Sequence, residues 1–133
     1  MDRQIALSWQ GIGFTDTGLT RQTNQDAFAV DNDLGLWIVA DGMGGHAGGG
    51  IASRIAVDSI VGTIRAAASA GGAHSAQPSR AVDLLTEALS IAHEAIHQAA
   101  LQNQELEGMG TTIVACFLCP GSPSQIVFAH VGD

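Results

Sequence analysis

The run Trp37-Ile-Val-Ala-Asp41-Gly-Met-Gly-Gly-His46 carries four apolar residues into one aspartate and then into a glycine-rich turn. A strand that ends on a carboxylate, next to exposed backbone carbonyls, suits a hard divalent cation, which takes oxygen ligands. Glycine at 42, 44 and 45 opens backbone angles closed to other residues, so a carbonyl can come close to an ion. The same pattern also reads as an ordinary strand-to-turn step, and this segment alone leaves both readings open. Upstream stands Gly18-Leu-Thr-Arg21-Gln-Thr-Asn24-Gln25-Asp26-Ala-Phe28. It brings a second carboxylate, Asp26, and a guanidinium, Arg21, whose paired N–H donors match phosphate oxygens. Downstream stand Gly108-Met-Gly-Thr-Thr112 and His130-Val-Gly-Asp133.

Hydrolysis of a phosphate monoester at neutral pH, one reaction such residues could serve, needs a nucleophile and a way to neutralise charge on the phosphoryl group. Two divalent cations lower the pKa of a bridging water and clamp the phosphoryl oxygens. Mg²⁺ and Mn²⁺ both prefer carboxylate, carbonyl and water oxygens. Asp41 is the natural bridge between two ions, because its two oxygens can reach both.

The four blocks, in this order, resemble the type 2C family of metal-dependent protein serine/threonine phosphatases, in its bacterial form. The resemblance runs from about Gly11 to Asp133 and breaks only between Ala66 and Arg80. It implies hydrolysis of phosphoserine and phosphothreonine in proteins, in opposition to a Ser/Thr kinase, with Mn²⁺ or Mg²⁺ as cofactor. Two ions are expected, with a further weaker site. By resemblance Gly42 lends its carbonyl to the metal centre and Asp26 stands by the metal-bound waters. Asp133 then helps to hold the additional ion, and Arg21 clamps the substrate phosphate.

Three positions depart from the pattern. Gln25 stands where relatives often have Glu, Met43 where some have His, and Gly50 where Glu is common. His46 could give a proton to the leaving alkoxide, since imidazole titrates near neutrality, or it could only shape the loop. Plainer readings accompany the other residues too: Asp26 as a cap, Arg21 in a surface ion pair, Asp133 as a solvated end. A third function, besides the phosphatase and a non-catalytic remnant that binds a partner through Arg21, is spelled by His93-Glu94-Ala-Ile-His97. HExxH on a helix is a zinc protease signature, but a third ligand is not found at the extended spacing, where Ala100 and Asn103 stand. Cys116 and Cys119 form one CxxC pair, a poor zinc signal alone. They read as a core cysteine followed by a turn cysteine before Pro120.

The composition narrows the class. The chain has 133 residues, no lysine, five arginines and thirteen acids, for a net charge of −8. That balance argues against nucleic acid and against anionic membrane surfaces. No apolar run reaches the length of a membrane span and no signal peptide is apparent, so cytoplasm is the expected compartment. Oligomeric state is not readable.

The elements that must hold these residues follow from periodicity. Ile5–Phe14 alternates loosely, as a strand does. Ala27–Asp31 and Leu36–Ala40 suggest a hairpin over Asn32-Asp33, the second strand apolar throughout and hence buried. Ile51–Ala68 has helical spacing, and residues 66–80 form a mobile, breaker-rich helix–helix loop. Ser79 would cap a second helix with a stripe at Val82, Leu85, Leu89, Ala92, Ile96 and Ala99, ending near Leu106 or Gly108. Thr111–Leu118 and Gln125–Val131 are expected as strands around Pro120-Gly-Ser-Pro123. The fold class is α+β, a partial four-layer α-β-β-α sandwich of antiparallel sheets with two flanking helices. The resemblance implies a longer domain, of which residues 1–133 are the N-terminal portion, truncated before further metal-binding aspartates. Weak or absent turnover by this piece alone is the consequence expected.

Overall fold

The computed structural model describes residues 8–45, 47–71, 77–121 and 123–133. Five strands form one antiparallel sheet: β1 (Asp26–Asp31), β2 (Leu36–Met43), β3 (Gly110–Thr111), β4 (Ile113–Cys119) and β5 (Gln125–Val131). The main order is β1-β2-β4-β5, with β3 paired to the end of β2. Helices α1 (Gly48–Ser69) and α2 (Pro78–Gln102) follow β2 in the chain, and a 3-10 turn, Gln104–Leu106, leads into β3. The fold is α+β, as expected.

The β1–β2 hairpin closes because Asp31 Oδ1 accepts the Leu34 N–H at 2.9 Å, and Gly35 takes a positive φ of 65°. That angle is cheap only for glycine. Alternation along β2 then turns Leu36, Ile38 and Ala40 toward the helices. They meet Ile113, Ala115, Phe117 and Cys119 of β4, and Ile60, Ile64, Leu84 and Leu85 of the helices, in a single core. Both helices cover this one face. α1 lies over β1 and β2, and α2 packs on α1 and toward β4 and β5.

Among the described residues the opposite face is only partly covered, by the segment from Gly11 to Thr15, and it leaves Val39 58% and Phe128 70% exposed. Among the described residues two of the sandwich's four layers are present, one sheet and a layer of two helices on it, in keeping with a partial sandwich. Strand β2 is buried on one face only, where uniform apolarity suggested burial on both.

Other boundaries move for local reasons. No strand forms over residues 8–14, and residues 1–7 of the expected first strand lie outside the described ones. Instead Gly11 lies against the Trp37 ring, its N–H bonded to Asn32 Oδ1 at 2.7 Å. Helix α2 begins at Pro78, in the first turn, where a missing N–H costs nothing. Gln77 is thus its cap, and Ser79 lies inside it. The interhelical segment shortens accordingly: 66–69 and 78–80 are helical, and 72–76 lie outside the described residues. α2 stops at Gln102, ahead of the expected end.

The buried stripe of α2 is Ala81, Leu84, Leu85, Ala88 and Ala92, with Leu89 and Ile96 beside it and Val82 48% exposed. Small alanines occupy much of the buried stripe, and the larger Val82 turns outward. Cys119, not Cys116, is the core thiol. Cys116 is half-buried on the other face, as the odd spacing along a strand requires.

Candidate active site

The described acids Asp26, Asp41 and Asp133 lie at one end of the sheet. The antiparallel register sets the N-terminus of β1 beside the C-terminal part of β2, with Asp26 directly opposite Asp41. The N-terminus of β4 and the C-terminus of β5 lie at this same end, through the pairs Val39–Val114 and Ile113–Val131. Asn24 positions Asp26, whose N–H donates to Asn24 Oδ1 at 3.0 Å. The Asn24 amide in turn donates to Thr15 at 2.9 Å. Thr112 holds the other partner: its N–H donates to the Asp41 carbonyl at 2.9 Å, and its hydroxyl stands 3.4 Å from both the Asp41 N and O.

Directly opposed side chains in an antiparallel pair are in reach of one another. Here both are carboxylates. Burial, then the charge of Asp41 and a side-chain hydrogen bond with it, raise the pKa of Asp26, while Arg21 pulls it down. Such mutual repulsion is what a bound cation relieves, so the pair fits a divalent ion. The Gly42 backbone belongs to the same joint. Its N–H donates to the Gln25 carbonyl at 3.1 Å, and a Cβ there would stand 1.9 Å from the Gly49 oxygen. A side chain is excluded from this place, and the backbone lines the cleft.

A cleft of about 510 Å³ opens here, lined in part by Arg21, Gln25, Asp41 and Gly42. A second cavity, about 380 Å³, lies on the sheet face away from the helices, among Ile12, Phe28, Trp37 and Val39. It is the more apolar of the two but reaches the carboxylates only through Asp26. Arg21 and Asp41 share the first cleft, so a cation and an anion converge there.

A family model described as protein phosphatase 2C matches residues 19–133. The chain belongs to the protein phosphatase 2C family. A putative protein phosphatase 2C-type of Streptococcus pyogenes is 34% identical over 126 residues, covering 90% of this chain and 46% of the relative. The serine/threonine phosphatase stp of Listeria monocytogenes is 33% identical over 122 residues, covering 90% and 45%. The chain thus spans about half the length of these curated relatives. Among solved structures, the Mycobacterium tuberculosis serine/threonine phosphatase PstP superposes with a TM-score of 0.69 at 28% identity, over 89% of this chain and 44% of that one. Stp1 of Staphylococcus aureus gives 0.70 at 28%, over 90% and 45%. The PstP catalytic domain has been solved in complex with 2 manganese ions.

Within this protein phosphatase 2C chain, Arg21, Asp41 and Gly42 line one cleft, and Asp26 stands opposite Asp41 on the neighbouring strand. Asp133 follows Gly132, where an added Cβ would stand 2.8 Å from the Thr112 Cγ2, so its backbone shares the end of the sheet with Asp41. Among the described residues, no group of three or more His, Cys, Asp or Glu side chains converges. His46 lies outside the described residues. His93, Glu94 and His97 are exposed on α2, where Glu94 accepts from Gln98 at 2.7 Å. No described helix is long and apolar enough to cross a membrane. The hydrogen bonds of Asn24, of Thr112 and of Ser53, whose hydroxyl donates to the Gln25 carbonyl at 2.7 Å, escaped the sequence reading. A visible signal existed for Asn24, an Asx residue two places before a carboxylate. The partners of the other two come from distant segments.

Proposed function

We infer that residues 1–133 are the N-terminal part of a protein serine/threonine phosphatase domain that hydrolyses phosphoserine and phosphothreonine in proteins. The observation that carries this is Asp26 facing Asp41 across β1 and β2, with Arg21 in electrostatic reach. Asp41, Asp26 and the Gly42 carbonyl would hold two Mn²⁺ or Mg²⁺ ions, and Asp133 would serve a weaker third ion. When bound, such ions supply an activated water and neutralise charge on the phosphoryl group.

The chain's own residues do the rest. Arg21 holds two phosphoryl oxygens and orients phosphorus toward the attacking water. As the new P–O bond forms, the bond to the seryl or threonyl oxygen breaks. His46 is the proposed donor of a proton to that oxygen. The partners are phosphorylated proteins, and a cytoplasmic setting fits the free thiols Cys116 and Cys119.

Two carboxylates and one carbonyl make a thin ligand set for two doubly charged ions. The 133-residue chain is therefore expected to bind Mn²⁺ weakly and to turn over slowly. A second reading, binding of a phosphopeptide through Arg21 without hydrolysis, draws on the same thinness. A phosphopeptide assay with added Mn²⁺ tests both. Slow, Mn²⁺-dependent release of phosphate, lost in Asp41→Asn, supports the hydrolase. Binding that Arg21→Ala abolishes, with no phosphate released, supports the second reading. Turnover unchanged in Asp41→Asn would sink the metal mechanism.

A further inference from the structure

Ser53 is the only buried polar residue among the described ones, at 0% exposure. Hydroxyls elsewhere on the helices behave differently. Thr63, Ser69, Thr86 and Ser90 each donate to the carbonyl four residues back in their own helix. Ser53 reaches out of α1 instead, to the Gln25 carbonyl at 2.7 Å, with the Gly50 carbonyl of its own helix farther off at 3.2 Å. A hydroxyl has one hydrogen to give, and the shorter bond takes it.

The accepting oxygen is shared. Gln25 O also accepts the Gly42 N–H at 3.1 Å. Gln25 immediately precedes Asp26, and Gly42 immediately follows Asp41. Two donors from two elements thus converge on one carbonyl and fix the peptide units that carry both acids. The packing leaves little slack around that joint. A Cβ on Gly49 would stand 2.6 Å from Gln25 Oε1 and 2.8 Å from the Gly42 carbonyl carbon. The N-terminal turn of α1, the start of β1 and the end of β2 touch backbone to backbone.

We propose that Ser53 is a positioning residue: its hydroxyl sets the separation and orientation of Asp26 and Asp41, and through them the affinity for a divalent cation. It touches neither the ion nor the substrate. Groups that orient metal ligands commonly govern affinity by tenfold or more when removed. The inference rests on the metal reading given under the proposed function.

The test is Mn²⁺ titration of the 133-residue chain, read by the loss of the free-ion paramagnetic resonance signal. Ser53→Ala is compared with wild type and with Ile64→Val, which loosens the core at the far end of the same helix and leaves the joint alone. Ser53→Ala is expected to weaken Mn²⁺ binding about tenfold, at a temperature where circular dichroism shows all three chains folded. Ile64→Val is expected to bind as wild type does. Equal affinity in Ser53→Ala and wild type overturns the proposal and leaves the metal reading standing. A wild type that binds no Mn²⁺ overturns both. An equal loss in Ile64→Val makes Ser53 a mere stability residue and overturns the proposal too. Should Ser53→Ala lose its helical signal, Ser53→Cys decides, with its similar size and weaker donor: reduced affinity supports the proposal, wild-type affinity overturns it.

Discussion

Asp26 and Asp41 stand opposite each other on adjacent strands, where like charges repel. Burial and that repulsion raise the pKa of Asp26 in the folded chain, against a partial offset from Arg21. The sign follows from linkage. A carboxyl whose pKa is higher folded than unfolded favours the folded state below the unfolded value, about 3.9. That contribution is lost as pH rises through the folded value. Asp26→Asn should then stabilise the metal-free chain at pH 7 by on the order of 0.5 kcal/mol and make little difference near pH 3. Thermal melts at both pH values check it. A variant less stable than wild type at pH 7 would show that the pair is not repulsive. Added Mn²⁺ should stabilise wild type by mass action and do less for the variant.

At the scale of the element, the hairpin that delivers Asp41 depends on its tight end. Asp31 accepts the Leu34 N–H and is paired with Arg65 of α1 at 2.7 Å. The backbone bond first, and then Arg65, overcome burial and lower the Asp31 pKa. Its stabilising contribution is therefore present above the unfolded value and fades as pH falls through the folded one. Arg65 is 62% exposed, so the ion pair itself contributes only a few tenths of a kcal/mol. Asp31→Ala should cost about 1 kcal/mol at neutral pH, chiefly from the lost turn bond. The difference from wild type should shrink below pH 3. Urea unfolding of both chains across that range measures it, and a pH-independent gap would rule out this origin.

At the scale of the molecule, the sheet face away from the helices exposes large apolar side chains among the described residues. Val39, Val114 and Phe128 are 58%, 54% and 70% exposed on it, and contiguous apolar surface of this kind recruits other apolar surface. The chain should bind a hydrophobic dye such as anilinonaphthalene sulfonate while keeping its native circular dichroism. Replacing Val39 with Thr together with Phe128 with Ser should reduce that dye signal severalfold and change stability by less than about 1 kcal/mol. Unaltered fluorescence in the double variant would mean that the dye binds elsewhere.

The acids, the arginine and the ordered glycine-rich blocks were legible in the one-dimensional chain, because ligand chemistry depends on residue type and short spacing. So were the α+β class, the β1–β2 hairpin and most of both helices, since alternation and three-to-four spacing are local properties. Three matters required the folded chain. The rotation of α2 toward its alanines depends on its packing against a second helix. The exposed face of β2 depends on what packs there, which an apolar run cannot announce. The bolting of Asp26 to Asp41 through Ser53, Gln25 and Gly42 joins positions far apart in the chain, and contacts of that kind are created by register and packing, not by any local pattern.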